Sequence, residues 1–274
     1  MENEISTRMI ARRRRTVLII ATVFVVFLVI SLFFAFTSFL LVQRENSRRE
    51  CCDLNLARLY AATVEYCEAN GSYPPAFTVN SNGERLHSWR VLLLPFLGEE
   101  NLYSQIRLDE PWDSEWNRQF WTKTPNIFRC ASTPIDENAD SDTKNKLCAY
   151  SCVIGASTVF PEDGTAVTPD DLVDGASNTI LYVERKKSVN WMDPNSELTE
   201  ELVCEENKKI AKERENFASW HASGVLVVFC DGKRQLLSEK IDVDVLRLLL
   251  NVHDSHDGES ETAADLPSEE STEE

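Results

Sequence analysis

The stretch TVLIIATVFVVFLVISLFFAFTSFLLV, from Thr16 to Val42, contains no charge, no proline and no glycine. At about 1.5 Å per residue a helix of this length reaches roughly 40 Å, against roughly 30 Å for a bilayer's hydrocarbon core, so it can cross a membrane once. A cleaved secretory signal has an apolar core of only roughly 7 to 15 residues and a small-residue cleavage site, which argues for a retained anchor. No helix breaker separates this stretch from QRENSRRECCDLNLARLYAATVEYC, Gln43 to Cys67. There Leu56, Leu59, Tyr60, Val64 and Cys67 recur at steps of three and four, marking one face of a helical stalk. Such a face needs a partner to cover it, and that need organises the rest of the chain.

The 274 residues carry a formal net charge of −17, yet the first fifty hold eight Arg against four Glu, leaving −21 on the remaining 224. An acidic body argues against nucleic acid, whose phosphates require clustered Lys and Arg. Arg8 and Arg12 to Arg15 precede the apolar stretch, while Arg44, Arg48, Arg49 and Arg58 follow it. The tight Arg12 to Arg15 cluster places the N-terminus inside. None of the eight Cys stands in C-x-x-C spacing, which argues against zinc bound through cysteine and against thioredoxin-like chemistry. Outside the cytoplasm a disulfide would be permitted, with Cys130 to Cys148 or Cys152 the first pairing to test, and buried free thiols are the equal alternative.

Along the chain, Asn70-Gly71 and Pro74-Pro75 end the stalk. Ser88 to Ile106, interrupted at Pro95 and Gly98, reads as two short helical pieces that cap the core. Trp112, Trp116, Phe120 and Trp121 fall at helical spacing and read as core. Leu147 to Ile154, Asn178 to Glu184 and Gly224 to Cys230 have the composition of buried strands. Asp231-Gly232 reads as a tight hairpin with positive backbone angles, from which Lys233 to Leu237 returns. Asp242 caps a closing helix through Leu250. Glu197 to Asn216 reads as an exposed, charged helical insertion, and residues 253–274, with nine acidic residues and no Lys or Arg, as a disordered tail.

Several blocks together resemble one family, the bacterial pilin-like domains of unknown function that join a prepilin-type N-terminal helix to a C-terminal H-X9-DG motif. Members of this family are also labelled extracellular solute-binding proteins. The blocks are Asn70-Gly71-Ser72-Tyr73-Pro74-Pro75, Trp89-Arg90-Val91-Leu92-Leu93-Leu94-Pro95, Pro111-Trp112-Asp113, Phe128-Arg129-Cys130-Ala131-Ser132, Asp174-Gly175-Ala176-Ser177-Asn178-Thr179-Ile180, and His221 followed after nine residues by Asp231-Gly232. The resemblance implies an α+β, pilin- or pseudopilin-like fold with the helix packed on a small antiparallel sheet. The boundaries become a basic N-terminus at 1–15, a membrane helix at 16–42, a stalk at 43–70, the domain at 71–252 and the tail at 253–274. The G-F-T-L-I-E processing site of prepilins is absent, since Arg15-Thr16-Val17-Leu18 stands where it would be. The glycine at the cut and the glutamate that registers fibre subunits are both missing.

The motif residues His221, Asp231, Gly232, Asp174, Gly175, Ser177, Asn178 and Thr179 are expected to be structural. His221 near Ser219, Ser223 and Asp231 invites a nucleophilic reading, but there is no G-x-S-x-G elbow, and a lone His at a strand start more often bonds locally. Related pseudopilins bind calcium in a loop, and Asp163, Asp170, Asp171 and Asp174 could offer oxygens, without EF-hand spacing. His87, His253 and His256 show no H-E-x-x-H arrangement. The expectation is therefore no catalytic residue, no cofactor and no metal. Two functions fit. One is a membrane-anchored, non-enzymatic structural or assembly component related to type II secretion or type IV pilus-like systems, not processed as a prepilin. The other is a membrane-tethered extracytoplasmic module binding a solute or polysaccharide, which would need a concave pocket with convergent polar groups. The expected partners are the lipid bilayer through residues 16–42, envelope proteins, and further copies through the N-terminal helix, at the inner membrane with the domain outside.

Overall fold

The computed structural model describes residues 2–134, 146–210, 213–221 and 224–253. The acidic tail beyond residue 253 and Ser223 lie outside the described residues. One helix, α1 (Glu2–Asn70), carries both the apolar stretch and the stalk. The chain divides into two compact units, Met1–Ser47 and Arg48–Glu274. In the first, every large apolar side chain from Val23 to Val42 is exposed, and the helix reaches a mean hydropathy of 2.8 over its most apolar window. A helix so apolar and uncovered suggests a single-pass membrane anchor.

In the second unit the end of α1 buries Cys52, Asn55, Leu56, Leu59, Ala62 and Thr63. The buried face is thus centred slightly away from the expected one, with Tyr60, Val64 and Cys67 half-buried on its flank. The helix stops as its residues require: Gly71 takes φ 79° and donates its N–H to the Cys67 carbonyl at 2.7 Å.

What covers that face is a four-stranded antiparallel sheet ordered β3 (Lys146–Ser151), β5 (Ile180–Asn190), β7 (Gly224–Phe229), β8 (Arg234–Ser238). Alternation along β7 sends Leu226 and Val228 into the core that holds Leu56 and Leu59, and sends Val225, Val227 and Phe229 to the other side. On that other side lie Val203 of α4 (Glu200–Asn207) and Leu246, Leu249 and Leu250 of α5 (Val243–Leu250). Because helices cover both faces there, β7 reads as an unbroken apolar run rather than an alternating one. Tyr182 ties the α1 side together. Its ring stacks on Trp89 with centroids 4.2 Å apart, and its hydroxyl lies 2.9 Å from Thr63 Oγ1 on α1.

The smaller elements follow their breakers. The chain passes from β1 (Phe77–Val79) and β2 (Arg85–Ser88) into α2 (Trp89–Leu93), a 3-10 turn with Pro95 inside it, and α3 (Glu100–Tyr103) after Gly98 at φ 77°. The tryptophan-rich segment is not the helix its spacing implies; only Asn117–Phe120 forms a 3-10 turn. Asn117 is the cause, since its amide donates to the carbonyls of Arg107 and Pro111 at 2.9 Å each and its oxygen accepts the Arg107 N–H. Phe120 enters the core and Trp112 stacks half-buried on Trp121, whereas Trp116 remains exposed.

Glu197 to Asn216 differs from the exposed insertion expected of its charge. Leu198–Thr199 forms β6, paired in parallel with β4 (Val153–Ile154), and α4 packs into the core behind the sheet. Three of the segment's charges, on Glu197, Glu206 and Arg214, turn inward, while Glu201, Glu205, Lys208, Lys209, Glu213 and Glu215 stay exposed. The Glu206 carboxylate accepts the backbone N–H groups of Glu215, Asn216 and Phe217 at 3.1, 2.7 and 3.0 Å. Glu197, fully buried, pairs with the equally buried Arg90 and accepts from Ser151 Oγ at 2.8 Å and the Cys152 N–H at 3.1 Å. Burial opposes the charge on Glu197, but the Arg90 guanidinium and these donors outweigh it and hold the carboxyl below its ordinary 4.5.

The Asp231-Gly232 turn joins β7 to β8 as expected, with a three-residue loop. Gly232 N–H bonds the Phe229 carbonyl at 3.0 Å, Phe229 N–H bonds the Lys233 carbonyl at 2.9 Å, and the positive angle falls on Gly232, φ 86°. Asp231 Oδ1 accepts the Lys233 N–H at 2.8 Å.

Two predictions follow from this packing. A Cβ at Gly232 would stand 2.5 Å from the Tyr60 ring on α1, so Gly232→Val adds a clash to backbone strain of about 1 to 3 kcal/mol. Thermal unfolding of the detergent-extracted chain should show a clear fall in Tm; an unchanged Tm would contradict the turn assignment. Glu197→Gln leaves Arg90 buried beside an uncharged partner and should cost about 3 to 5 kcal/mol at neutral pH. A carboxyl depressed in the fold stabilises above its unfolded value and loses that contribution as pH falls through the folded one. The gap between wild type and Glu197→Gln in urea midpoint should therefore shrink as pH drops below 4.5.

Candidate functional site

Four elements converge on one buried point beside α1. Tyr182 and Glu184 stand two residues apart on β5, so Glu184 shares the face that Tyr182 presents to α1. Cys52 comes from the buried part of the stalk, Cys130 from just after the 3-10 turn Asn126–Phe128, and His221 from the segment entering β7. The donor atoms of Cys52, Cys130, Glu184 and His221 all lie within 4.8 Å of one another, and all four residues are buried.

Cys52 Sγ is 3.2 Å from Cys130 Sγ and 3.3 Å from His221 Nε2. The imidazole nitrogen is also 3.6 Å from Cys130 Sγ and 3.6 Å from Glu184 Oε1. Ser219 organises the far side, donating its hydroxyl to Glu184 Oε2 at 2.7 Å and accepting the His221 N–H at 2.9 Å. Below the sulfurs, Asn55 Nδ2 donates to the Arg129 carbonyl at 3.1 Å and to the Tyr150 hydroxyl at 3.4 Å.

The electrostatics split the two thiols. The hydrogen bond from Cys130, opposed by burial and aided by His221 and Tyr150, draws Cys52 down to about 4. Cys130, as donor in that bond and buried besides, is pushed well above the usual thiol value. Burial, reinforced by the charge on Cys52, raises Glu184 to about 7, with His221 pulling the other way. A sulfur next to an imidazole is the pairing used by thiol nucleophiles, but a reactive cysteine must be reached by its substrate, and Cys52 is 0% exposed. What the set offers is two sulfurs, a nitrogen and a carboxylate at one buried point.

The motif residues divide between two places. His221 enters the cluster through its ring instead of merely capping a strand. Asp231 and Gly232 sit in the hairpin, which docks on the Asp174 to Thr179 loop: Asp231 N–H bonds the Ala176 carbonyl at 3.0 Å and Cys230 N–H the Thr179 carbonyl at 2.9 Å. That loop is closed by Gly175 at φ 86°, by Asn178 Nδ2 on the Asp174 carbonyl at 3.1 Å and by Thr179 Oγ1 on the Gly175 carbonyl at 3.2 Å, while Ser177 is exposed. Of the aspartates considered for calcium, Asp163 and Asp171 close turns through Thr165 and Thr168.

The sulfur against Cys130 is that of Cys52, not of Cys148 or Cys152. Those two lie toward the Arg90–Glu197 pair, Cys148 donating to the Tyr150 carbonyl and Cys152 to Glu197 Oε2, each at 3.4 Å. Sequence reasoning named Cys130 and His221 in separate blocks and left out Cys52 and Glu184. Local spacing carried no signal for the set, because Cys130 and His221 stand 78 and 169 residues after Cys52.

Comparison with family models matches residues 43–244 to the family described as "Protein of unknown function (DUF1559)", labelled SBP_bac_10. No curated protein and no solved structure gives a match. The matched span begins just after the apolar stretch and takes in all four cluster residues, the Asp174 loop and the hairpin. With most of its length inside that match, the chain belongs to the DUF1559 family.

Proposed function

We propose that the chain is a single-pass, non-enzymatic envelope protein with residues 16–42 in the inner membrane, its basic N-terminus in the cytoplasm and its domain outside. There it fills a pilin- or pseudopilin-like assembly role, of the kind served in type II secretion or type IV pilus-like systems, without prepilin processing. The observation that carries this reading is the double use of α1: the helix that holds the apolar stretch ends as a central core element of the domain. The Arg12 to Arg15 cluster supports the orientation. The only thiol, imidazole and carboxylate cluster described is closed to solvent, which supports work by contact rather than by chemistry.

A solute-binding role needs polar groups that converge on a cavity. A surface cavity of about 460 Å³ lies among Arg49, Asp53, Leu226, Arg234 and Leu236, but its Arg234 and Asp53 satisfy each other at 2.9 Å. Assembly is therefore the better-supported use.

Intact mass of the membrane-extracted chain is expected to include residues 1–15, whereas a mature form beginning near Thr16 would refute the retained anchor. A reporter active only outside the cytoplasm, fused after Glu274, should be active; activity of a cytoplasmic reporter instead inverts the topology. Crosslinking in intact membranes should recover envelope proteins or a second copy. Specific retention of a sugar or solute by the extracted protein would favour the binding module.

A further inference from the structure

We propose that Cys52, Cys130, Glu184 and His221 form a closed metal site that takes zinc and clamps the stalk to the sheet. The donor chemistry fits that ion, since thiolate, imidazole and carboxylate are its ordinary ligands and four protein donors without an open position make a structural site. The donors come from α1, the loop after Phe128, β5 and the segment entering β7, so one ion would hold four separate pieces of chain.

Distances separate this reading from a Cys52–Cys130 disulfide. With zinc–sulfur bonds of about 2.3 Å, two sulfurs of a tetrahedral site stand about 3.8 Å apart, so the pair at 3.2 Å need only part by about 0.6 Å. A disulfide requires the same sulfurs to close to about 2.05 Å, a movement of about 1.1 Å the other way. The sulfur–nitrogen separations of 3.3 and 3.6 Å bracket the roughly 3.5 Å that tetrahedral zinc would set. A disulfide would also leave the Glu184 carboxylate without a cation. Glu184 is 1% exposed, and its Oε1, facing the imidazole at 3.6 Å, accepts no hydrogen bond. Burying a carboxylate oxygen in that state is costly unless the group takes up a proton or a cation completes it. One of the four residues, Cys130, also borders a surface cavity of about 250 Å³ lined by Asn126, Arg129, Ala131, Thr133 and Leu147. Binding displaces the Cys130 thiol proton to solvent and changes no oxidation state.

The test uses the full chain, extracted in detergent without reductant, incubated with zinc sulfate and dialysed against metal-free buffer. One zinc per chain is expected by elemental analysis, and cobalt(II) in its place should give a thiolate-to-cobalt charge-transfer band. Cys130→Ser and His221→Ala should abolish retention. Glu184→Gln, which keeps the side chain's size and its bond to Ser219, should lose zinc to a chelator about tenfold or more readily. Cys204→Ser, buried on α4 and away from the cluster, should retain it. Where a variant fails to fold, the cobalt spectrum of the unaltered chain decides alone. Absence of stoichiometric metal and of the thiolate band, zinc retention indifferent to these substitutions, or a Cys52–Cys130 linked peptide in the unreduced chain would each overturn the assignment.

Discussion

The face of α1 formed by Cys52, Leu56, Leu59 and Thr63 has to be kept from water, and most of the domain can be read as the means of doing so. Removing a Leu side chain fully from solvent contributes roughly 1.5 to 3 kcal/mol, an upper estimate because an unfolded chain already hides part of that surface. Leu56 and Leu59 are both completely buried, so their contribution exists only while the sheet is in place. The sheet in turn holds its shape because α4 and α5 cover its reverse, where Val203, Leu246, Leu249 and Leu250 meet Val225, Val227 and Phe229. Helix, sheet and helices form three layers, and losing either outer one exposes half of the strands' side chains.

Polar groups inside such layers are costly unless paired. Arg90 and Glu197 are both fully buried and answer each other, with Ser88, Ser151 and the Cys152 N–H adding hydrogen bonds, while Arg90 Nε finds no such partner. Their attraction offsets desolvation without a large surplus, so the pair fixes which segment lies where more than it adds stability. It brings the strand β6 segment against α2, and the Glu206 carboxylate does the same for Glu215 to Phe217. The thiol, imidazole and carboxylate set beside α1 follows the same rule with one position still open, at Glu184 Oε1.

Much of this was legible because the signals are local. An uninterrupted apolar run, a three-four repeat, Asn-Gly before Pro-Pro, three Val- and Ile-rich segments, and Asp242 ahead of Val243 each report on a few neighbouring residues. Those neighbours decide a helix, a stop, a strand or a cap. Asp242 accepts the Asp244 and Val245 N–H groups, as its type implies. Charge misled at Glu197 to Asn216, since a Glu or Arg is assigned to the surface unless its partner is known, and Arg90 stands 107 residues away from Glu197. Tryptophan spacing misled at 109–121 because one asparagine captured the carbonyls a helix would have used. The cluster itself was invisible for the same reason as the ion pair: Cys52, Cys130, Glu184 and His221 are neighbours only after the sheet has formed, and no periodicity records it.

That dependence bears on how a helix of this kind can meet other molecules. In the apolar stretch the hydroxyls of Thr22 and Thr37 bond back to the Leu18 and Phe34 carbonyls at 2.9 Å. No glutamate stands in that stretch to fix register between copies. The next part of α1 cannot substitute, because its apolar face is already committed to the sheet. The residues from 51 to 252 carry a formal charge of −12, so copies of that part of the chain repel one another except where salt screens them.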